Sequence, residues 1–433
     1  MRILYVSHYF PPEMGAPAGR VAGLGRVWAA AGHDVHVLTG FPHHPTGRIH
    51  PEYRRAFRRG FLREDVDGMH VHRTWIFPAA NRGKIRRSLN YSSFMASAVL
   101  FGSLRLPRPD VIVATSPQLL CAAAGHLLAR RFRVPLVMEV RDLWPESLIA
   151  VGASGRQSPL VAGLERIARG LYARSAHIVT VTESQRDVIV RMGVPSNRVS
   201  VVPNGVDRAF LAAGASFSDS SKPLANGRFV VTYIGTLGMA HHLETLLEAA
   251  EILRDDPRFH FRLVGEGARR KALESLACSR RLANVEFCGE QPRGEVPRWI
   301  AESSACAVLL RRNDVFRTVV PSKLLEIMAV GRPVLLGVEG EARSLLDRAG
   351  SGIAIEPENA AELAAAIRTL ASDPERCRRH AENGGAFVRR EFVREKLAER
   401  YAGILARLVA PADFAVVSAQ QPCSPLPSVE ERG

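Results

Sequence analysis

Short apolar runs rich in β-branched residues alternate with longer stretches of helical periodicity along most of the chain. Such runs are typical of strands that are buried on both faces of a parallel sheet. The first series of predicted strands comprises Ile3–Ser7, Asp34–Thr39, Met69–Arg73, Val111–Thr115, Leu136–Val140, Ile178–Val181 and Val199–Val202. A second series comprises Phe229–Ile234, Phe261–Val264, Val285–Cys288, Ala307–Leu310, Val334–Leu336 and Ile353–Ile355. The alternation of strands and helices predicts an α/β protein.

The two series of strands predict two doubly wound domains. The first series ends at the turn sequence Pro-Asn-Gly, residues 203–205, and a chain of 433 residues has room for two domains of about 200 residues. We therefore expect an N-terminal domain over 1–205 and a C-terminal domain over 206–385. A long helix is expected at 386–409, and the aperiodic tail at 410–433 is expected to be disordered.

The net charge of +15 is concentrated in the first half of the chain. Residues 1–205 contain 27 Lys and Arg against 13 Asp and Glu, whereas residues 206–433 contain 31 against 30. The densest basic block extends from Arg48 to Arg108 and encloses an uncharged stretch of 17 residues, Ser88–Leu104. Because a membrane-spanning helix needs about 20 apolar residues, this stretch is not expected to span a membrane.

Two interpretations of the basic block remain open. In the first, basic and aromatic side chains rest on an anionic membrane surface. In the second, a core helix is flanked by solvated arginines. Nucleic acid would also suit the charge, but no recognition motif accompanies it, so we expect no nucleic-acid partner. The candidate membrane and acceptor residues are Arg54, Arg58, Arg86, Arg87 and Phe94.

The cysteines and the N-terminus indicate a cytoplasmic protein. The six cysteines show no Cys-x-x-Cys spacing, so we expect free thiols in a reducing compartment rather than a disulfide framework or a zinc site. The first apolar run, Arg2–Ser7, is too short for a secretory signal and is instead predicted to be a strand.

The segment VVPSKLLEIMAVGRPVL, residues 319–335, carries the strongest functional signal. Pro321 and Ser322 are typical of a helix start, and the glycine nine positions after Ser322 is typical of a helix end. The free N–H groups of a helix start favour phosphate, and Lys323 adds a cation in the first turn. Glu326 lies one turn later, where a carboxylate can accept from a ribose hydroxyl. The segment therefore predicts a nucleotide site.

Loops that follow predicted strands offer further contacts to a diphosphate. Glycines in these loops let backbone N–H groups approach a ligand closely, although the Gly-x-Gly-x-x-Gly motif of dinucleotide-binding folds is absent. His241 is either a partial positive charge beside the diphosphate or a helix cap, and the loop at Glu290 can hold a base. The candidate donor-binding residues are Gly15, Gly235, Thr236, Gly238, His241, Glu290, Pro321, Ser322, Lys323 and Glu326.

Four charged residues lie at the end of the strand predicted at Leu136–Val140 or just after it. Charges beside a buried strand need partners, so these side chains either face a ligand cleft or form an internal ion-pair network. They are Glu139, Arg141, Asp142 and Glu146.

Five of these features together resemble family-4 retaining glycosyltransferases of GT-B fold. They are the Pro-Ser-Lys helix with its glutamate, the sequence VVPNGVD at 201–207, the loops at Gly15 and Gly235, and the sequence RDLWPES at 141–147. The resemblance covers about residues 1–408. Within the family the chain is similar to bacterial transferases of O-antigen, colanic-acid and capsule assembly, including fucosaminyl transferases. It implies two Rossmann-like domains that face each other across a cleft, with a nucleotide-diphosphate sugar held mainly by the C-terminal domain.

The resemblance also implies roles for single residues. Glu326 matches the glutamate that binds the ribose, Pro321–Lys323 matches the turn beside the diphosphate, and Gly15 matches the glycine loop near the donor phosphate. Thr318 stands where the family pattern has a second glutamate, and the basic residues that many relatives carry after the strand preceding Gly235 are missing. The diphosphate charge is therefore expected to fall on the Lys-bearing turn, on loop N–H groups and on His241 or Arg20.

We therefore expect a retaining transferase that moves a hexose or an N-acetylated aminosugar from a UDP-sugar to a polyprenyl-diphosphate-linked glycan in cell-surface polysaccharide synthesis. Lys323 is expected to neutralise the leaving diphosphate without a metal or other cofactor, and Asp142 or Glu146 to accept the proton of the acceptor. The enzyme is expected to be peripheral on the inner face of the cell membrane. The alternatives are a hydrolysing UDP-aminosugar epimerase of GT-B shape and a non-catalytic scaffold of polysaccharide assembly.

Overall fold

Two separate sheets organise the protein in the computed structural model, which describes residues 1–13, 15–80, 84–116, 118–144, 158–216 and 227–410. The first sheet has eight strands in the order β3-β4-β2-β1-β5-β6-β7-β8. Their bounds are β1 (Arg2–Val6), β2 (Asp34–Gly40), β3 (Phe61–Val66), β4 (Met69–Thr74), β5 (Val111–Thr115), β6 (Leu136–Val140), β7 (His177–Thr180) and β8 (Val199–Val201). All neighbours are parallel except β3 and β4.

The second sheet has six strands, all parallel, in the order β11-β10-β9-β12-β13-β14. Their bounds are β9 (Phe229–Ile234), β10 (Phe259–Val264), β11 (Val285–Gly289), β12 (Ala305–Leu309), β13 (Val334–Gly337) and β14 (Gly352–Ala354). Every strand predicted from the sequence is present, and each end lies within two residues of its predicted position. The prediction of two doubly wound parallel sheets is confirmed.

The strand β3 was not predicted. It pairs antiparallel with β4 at the edge of the first sheet and joins it through a tight turn at Asp67-Gly68. Both turn residues have positive φ, 50° and 80°, as a type I′ hairpin turn requires. The Asp-Gly pair is thus the signal that identifies the hairpin, whereas the strand sequence FLREDV reads as polar because an edge strand needs only one buried face.

Helices cover both sheets and their apolar faces form the cores. In the N-terminal half they are α1 (Ala16–Ala30), α2 (Arg54–Phe57), α3 (Lys84–Arg105), α4 (Leu119–Phe132), α5 (Pro159–Arg174) and α6 (Glu183–Arg191). After the first sheet come α7 (Arg208–Ser216), α8 (Glu244–Ile252), α9 (Arg270–Ser279), α10 (Val296–Ala301), α11 (Ser322–Val330), α12 (Glu341–Ala349), α13 (Ala360–Ser372), α14 (Pro374–Glu391) and α15 (Arg394–Val409). None of the helices in the described residues is long and apolar enough to cross a membrane.

The chain returns to the first sheet at its C-terminal end. Leu397 and Tyr401 of α15 belong to the core of the first sheet, and the Trp28 indole donates to the Ala398 carbonyl at 2.9 Å. The single helix expected at 386–409 is instead two helices, because the chain between α14 and α15 extends to form a β-bridge with Val206. Residues 411–433 of the expected disordered tail lie outside the described residues.

Candidate functional site

The carboxyl ends of the two sheets face each other. The hydroxyl of Thr182, just after β7, donates to the carbonyl of Thr318 at 2.9 Å. The carboxylate of Glu341, at the start of α12, accepts from the backbone N–H groups of Glu183 and Ser184 at 2.9 and 2.8 Å. Ligands of open α/β sheets bind at the carboxyl ends of the strands, so the gap between the lobes is the candidate site.

The helix start at Pro321 takes the predicted position. Pro321 is the N-cap of α11, and among the described residues no side-chain cap accepts from the first turn of the helix. Ser322 is therefore the first helical residue and not the cap. The Leu324 N–H donates to the Pro321 carbonyl, which leaves the N–H groups of Ser322 and Lys323 to an anion. The helix ends at Gly331, whose φ of 76° places it in the left-handed region that favours glycine.

The ammonium group of Lys323 is buried beneath the Gly235 loop. Its Nζ donates to the Tyr233 hydroxyl at 2.8 Å and lies 4.0 Å from the centroid of that ring. Burial lowers the pKa of Lys323 to about 7, and the nearby Glu326 carboxylate opposes that shift. Within the residues that the structure describes, no carboxylate forms a salt bridge with this ammonium, so an incoming anion would supply its missing counter-charge.

Gly235 cannot be replaced without strain. Its φ is 134°, and a β-carbon on it would lie 2.9 Å from the Lys323 ammonium. Thr236 is exposed and its carbonyl accepts from the Tyr233 hydroxyl at 2.7 Å, while Gly238 is half-buried three residues before His241. The loop thus places a backbone with little side-chain cover beside the Lys323 ammonium, an arrangement that suits a diphosphate.

The expectation that His241 supplies positive charge is wrong for the free protein. Burial and, to a smaller extent, the Lys323 ammonium lower its pKa to about 3. The neutral ring lies with Nδ1 3.3 Å from the Leu309 carbonyl, which can accept a hydrogen bond from it. His241 is therefore a polar wall of the site rather than a cation.

Glu326 is held by an arginine that the sequence reasoning missed. Arg293 donates to both of its carboxylate oxygens, at 3.1 and 2.6 Å, and stacks 4.6 Å from the centroid of the Phe210 ring. The Glu326 side chain is 12% exposed, whereas the Arg293 side chain is 52% exposed, so the carboxylate is largely buried and its arginine partner is open to solvent. The pairing fixes the direction of the carboxylate. Glu290, expected to lie near a base, is exposed just after β11.

The Gly15 loop of the first domain leads into helix α1, which carries the buried Arg20. Gly15, with φ of 131°, is the N-cap of α1, which has no side-chain cap. Arg20 of that helix is buried: it donates to Glu139 at 3.0 Å and to the carbonyls of Val202 and Pro203. Arg20 is thus not available to a diphosphate, and that expectation is wrong.

The charged cluster after β6 divides into two parts. Glu139 is fully buried and accepts from the Tyr5 hydroxyl at 2.7 Å and from Arg20, so it belongs to an internal network. Burial raises the pKa of Asp142 and lowers that of Arg141, whose Nε and Nη1 find no hydrogen-bond partner in the described residues. Asp142 thus stays a candidate for proton transfer, whereas Glu146 lies outside the described residues.

A second polar chain at the carboxyl edge of the first sheet was not predicted. His8 and His43 both bond to the Asn90 amide, at 2.9 and 3.0 Å, and His43 is 3.5 Å from Glu13. One Glu13 oxygen accepts from the backbone N–H groups of His43 and His44, while the other is buried without a partner in the described chain. Burial raises the pKa of Glu13 to about 7. These residues are scattered in sequence, so only the fold brings them together.

The candidate membrane face includes one residue that the structure removes from it. Arg54, Arg58 and Arg86 are exposed, and Arg87 is half-buried against the Tyr91 ring. Phe94 is fully buried in the core between α3 and the first sheet, so its expected role at a surface is wrong. The helix places it on the inner face because apolar residues on that face cover the sheet.

The outer face of α3 carries an apolar stripe instead. Ile85, Leu89, Leu100 and Leu104 are 49–78% exposed. At 100° per residue they lie within an arc of about 100° on the helix. The helix contacts the sheet with one face and leaves these side chains uncovered, so the exposed apolar surface of α3 lies on residues that were not among the predicted membrane and acceptor residues.

Thr318 does not take the place of the missing glutamate. Its hydroxyl donates to the Val315 carbonyl at 2.9 Å, and its own carbonyl accepts from Thr182 of the other lobe. The residue therefore contributes to contact between the lobes, and its side chain is satisfied within its own turn.

Two family models match the chain. A Glycosyl transferase 4-like domain matches residues 15–205, and Glycosyl transferases group 1 matches residues 216–386. The chain is 28% identical over 382 residues to the putative colanic acid biosynthesis glycosyl transferase WcaI of Escherichia coli K12, covering 85% of this chain and 91% of that protein. It is 26% identical over 424 residues to glycogen synthase of Mycobacterium tuberculosis, covering 93% and 94%.

Solved structures match over nearly the whole chain. Sucrose-phosphate synthase from Thermosynechococcus elongatus has a TM-score of 0.73 at 19% identity and covers 94% of this chain and 98% of its own. HepE from Anabaena, solved in complex with UDP-glucose, has a TM-score of 0.66 at 17% identity and covers 94% and 100%. At these identities the likeness establishes the fold of the two facing lobes.

Proposed function

The chain belongs to the family-4 glycosyltransferases of GT-B fold and takes its sugar from a nucleotide-sugar donor, and from that premise we propose that the donor is a UDP-sugar and the acceptor a lipid-linked glycan. The transferred unit is a hexose or an N-acetylated aminosugar, and the product enters cell-surface polysaccharide. The observation that carries the donor assignment is the buried Lys323 ammonium beneath the open Gly235 loop.

The donor site is supported by the match between its chemistry and that of a sugar nucleotide. The Lys323 ammonium and the free N–H groups of α11 suit a diphosphate, and the Glu326 carboxylate suits ribose hydroxyls. The choice of uridine rests on HepE, a structure of like fold that was solved with UDP and with UDP-glucose. Glu290 and the loop around it are the proposed neighbours of the base.

Catalysis then depends on stabilising the departing diphosphate. Preorganised cations and N–H donors stabilise charge that develops in the transition state, and loss of one such donor typically costs about 10²–10³-fold in rate. We assign this role to Lys323 and to the Gly15 loop across the gap. Asp142, whose pKa is raised by burial, is the proposed partner for the acceptor proton, with Glu146 as the second candidate. Contact between the lobes excludes water and so limits hydrolysis of the donor.

The acceptor assignment is supported by surface chemistry and by one relative. The exposed arginines and the apolar stripe of α3 suit an anionic lipid surface, where a polyprenyl-diphosphate acceptor would be held. WcaI of Escherichia coli is named as a putative colanic acid biosynthesis transferase. We therefore place the enzyme on the inner face of the cell membrane, bound peripherally.

The test uses purified protein, UDP-glucose and UDP-N-acetylglucosamine as donors, and a membrane extract as the source of acceptor. Lys323→Met and Glu326→Gln are each expected to lower UDP release about 100-fold or more. Lys271→Met and Glu274→Gln, which change exposed or half-exposed residues of α9, are the matched controls and are expected to keep near-normal turnover. Normal turnover in both site variants would contradict the proposal, and donor conversion without acceptor would favour an epimerase.

A further inference from the structure

A groove of about 760 Å³ opens at the amino ends of strands in the first sheet, on the opposite edge from the donor site. Arg2 begins β1, Asp34 begins β2, and the C-terminal end of α3 at Leu104–Arg105 forms one wall. Phe61 at the start of the antiparallel β3 lines the groove as well. Apart from Leu104 of the apolar stripe, the residues proposed above for the donor and the acceptor do not line it.

The groove is cationic. Three arginines line it against a single carboxylate, and that carboxylate, Asp34, is already bonded to Arg2 at 2.6 Å. Arg63 has the His70 ring at 3.4 Å as its polar neighbour, and Arg105 stacks on the Phe61 ring with 5.0 Å between guanidinium and centroid. Within the described part of the chain neither of these two guanidinium groups forms a salt bridge. The Asp65 carboxylate acts on Arg63 electrostatically and shares its His70 neighbour. Two guanidinium groups without a salt bridge in one groove still suit an anionic group such as phosphate.

The buried end of the groove holds an unsatisfied acceptor. His36 Nε2 lies 3.0 Å from an Asp34 oxygen and so carries the proton, which makes His36 Nδ1 the acceptor for His72 Nε2 at 3.0 Å. His72 Nδ1 is then a lone-pair acceptor on a ring that is 2% exposed, and it has no partner among the described residues. Burial lowers the pKa of His72 to about 3, so the ring is neutral at physiological pH. A ligand that brings an O–H group satisfies it.

The outer rim of the groove is apolar. Leu104 lines it and is 74% exposed, and Leu100, one turn earlier on the same face of α3, is 56% exposed. Pro107 continues this rim. The groove therefore joins the apolar stripe of α3, and a ligand that fills it has an anionic centre, a hydroxyl and an adjoining hydrocarbon part. A phospholipid with a hydroxylated head group has these three parts.

We propose that this groove binds the phosphate and head-group hydroxyl of an anionic membrane phospholipid. Arg63 and Arg105 contact the phosphate, and His72 accepts from the head-group hydroxyl. The acyl chains lie beside Leu100 and Leu104. The site goes beyond the proposed transfer reaction and rests on it only in that the enzyme works at a membrane. It gives the N-terminal lobe a fixed contact point in addition to diffuse charge attraction.

The test is co-sedimentation with phosphatidylcholine vesicles in which about a third of the lipid is either phosphatidylglycerol or phosphatidylmethanol. These two anionic lipids carry equal charge, and only phosphatidylglycerol has head-group hydroxyls. Wild type is expected to partition about fivefold or more in favour of phosphatidylglycerol. The double variant Arg63→Gln with Arg105→Gln is expected to lose at least about tenfold in partition and to lose the preference. The matched double variant Arg54→Gln with Arg58→Gln removes the same charge from α2 and its end, and is expected to keep the preference.

Three results would overturn the groove assignment. They are equal partition of wild type to the two anionic lipids, equal loss of preference in both double variants, and complete displacement by millimolar glycerol phosphate, which would identify a soluble ligand. UDP-glucose binding without vesicles, measured in all variants, reports the integrity of the fold. If the wild-type protein does not bind UDP-glucose at all, the proposed function is contradicted, whereas the vesicle result still decides whether the groove binds lipid.

Discussion

Donor binding is expected to take up a proton at Lys323. In the free protein burial lowers the pKa of this ammonium to about 7, because water is excluded and no carboxylate forms a salt bridge with it in the described residues. A bound diphosphate brings two negative charges close to Nζ and raises that pKa. The protonated form therefore binds the donor, and the deprotonated form must first gain a proton.

The size of the effect follows from linkage. One pKa unit corresponds to about 1.4 kcal/mol, so above pH 7 each further pH unit weakens donor binding by about tenfold. At pH 7 about half of the free lysine is neutral, and binding takes up about 0.5 proton, rising to about 0.9 proton at pH 8. Below pH 6 the lysine is already charged, and the dependence on pH disappears.

The assay is titration calorimetry with UDP-glucose between pH 6 and 8.5, in pairs of buffers that differ in ionisation enthalpy. Lys323→Arg keeps a charge at every pH and is expected to show pH-independent binding. Lys323→Met is expected to bind about 10–100-fold more weakly and also without proton uptake, since a hydrogen bond to a charged group is lost. Glu13, whose pKa is also about 7, titrates equally in both variants and so is controlled for.

A flat dissociation constant for wild type from pH 6 to 8.5, with heats that do not depend on the buffer, would refute the reasoning. It would mean that the ammonium is charged throughout or does not meet the diphosphate. Lys323→Met separates these cases. If the charged ammonium meets the diphosphate, this variant loses its hydrogen bond and binds the donor more weakly, whereas loss of an ammonium that does not meet the diphosphate leaves the affinity unchanged.

Three further changes test the site and the core. Gly235→Ala forces a side chain into a φ of 134° and to within 2.9 Å of the Lys323 ammonium. The strain is expected to cost about 1–3 kcal/mol and to lower the unliganded melting point, and UDP-glucose is expected to lose most of its thermal-shift effect on the variant. Glu13→Gln is expected to stabilise the protein at pH 8, by up to about 3 kcal/mol in urea unfolding, and to change its stability little at pH 4.5. The reason is that folding raises the pKa of this carboxyl from 4.5 to about 7. The stability that the protonated carboxyl contributes is therefore fully present below pH 4.5 and is lost as the pH rises through about 7. Phe94→Ala is expected to cost about 3–5 kcal/mol of unfolding free energy, with unchanged vesicle binding of the folded protein, whereas a surface role would give the opposite pattern.

Much of the fold could be predicted because buried parallel strands carry a continuous apolar signal. That signal fails at β3, an edge strand whose charged residues face solvent, and at the join of α14 and α15, where a tertiary bridge to Val206 overrides helical periodicity. On the site, the turn at Pro321–Lys323 could be predicted because its residues are adjacent in sequence. Arg293, 33 residues away from its partner Glu326, could not, since only the fold sets that pair.

The sequence predicted the positions of His241 and Arg20 better than it predicted whether each side chain carries a charge that a ligand can use. His241 lies near Lys323 of the proposed diphosphate turn, yet burial and that neighbouring ammonium keep it neutral. Arg20 was a plausible phosphate ligand from its place after a glycine loop, but its guanidinium is occupied by Glu139 and by backbone carbonyls from the end of β8 and beyond. Both outcomes depend on desolvation, which is set by what packs around a side chain.

The Glu326–Arg293 pair also connects the donor site to the crossing between the lobes. The Arg293 guanidinium lies 3.9 Å from Asp207, which lies 3.2 Å from the Arg394 guanidinium, and Arg394 donates to the Gly205 carbonyl at the end of the first lobe. A ribose hydroxyl that donates to Glu326 must share that carboxylate with Arg293. In the proposed donor complex the hydroxyl therefore competes with Arg293 for the Glu326 carboxylate. Glu326 is the first member of a series of polar contacts that reaches the point where the chain passes from one lobe to the other.

A substitution of Arg293 tests whether the Glu326–Arg293 pair only orients the carboxylate or also governs how the lobes close. Arg293→Lys keeps the positive charge but loses the two-pronged geometry at 3.1 and 2.6 Å, so it frees one carboxylate oxygen without removing the carboxylate. If the arginine only orients Glu326, the variant is expected to raise the KM for UDP-glucose several-fold and to leave kcat unchanged. If the pair governs how the lobes close, kcat falls as well, because closure assembles the groups that stabilise the leaving diphosphate. Steady-state kinetics with a saturating acceptor distinguishes the two, and unchanged values of both constants would contradict any role for the pair.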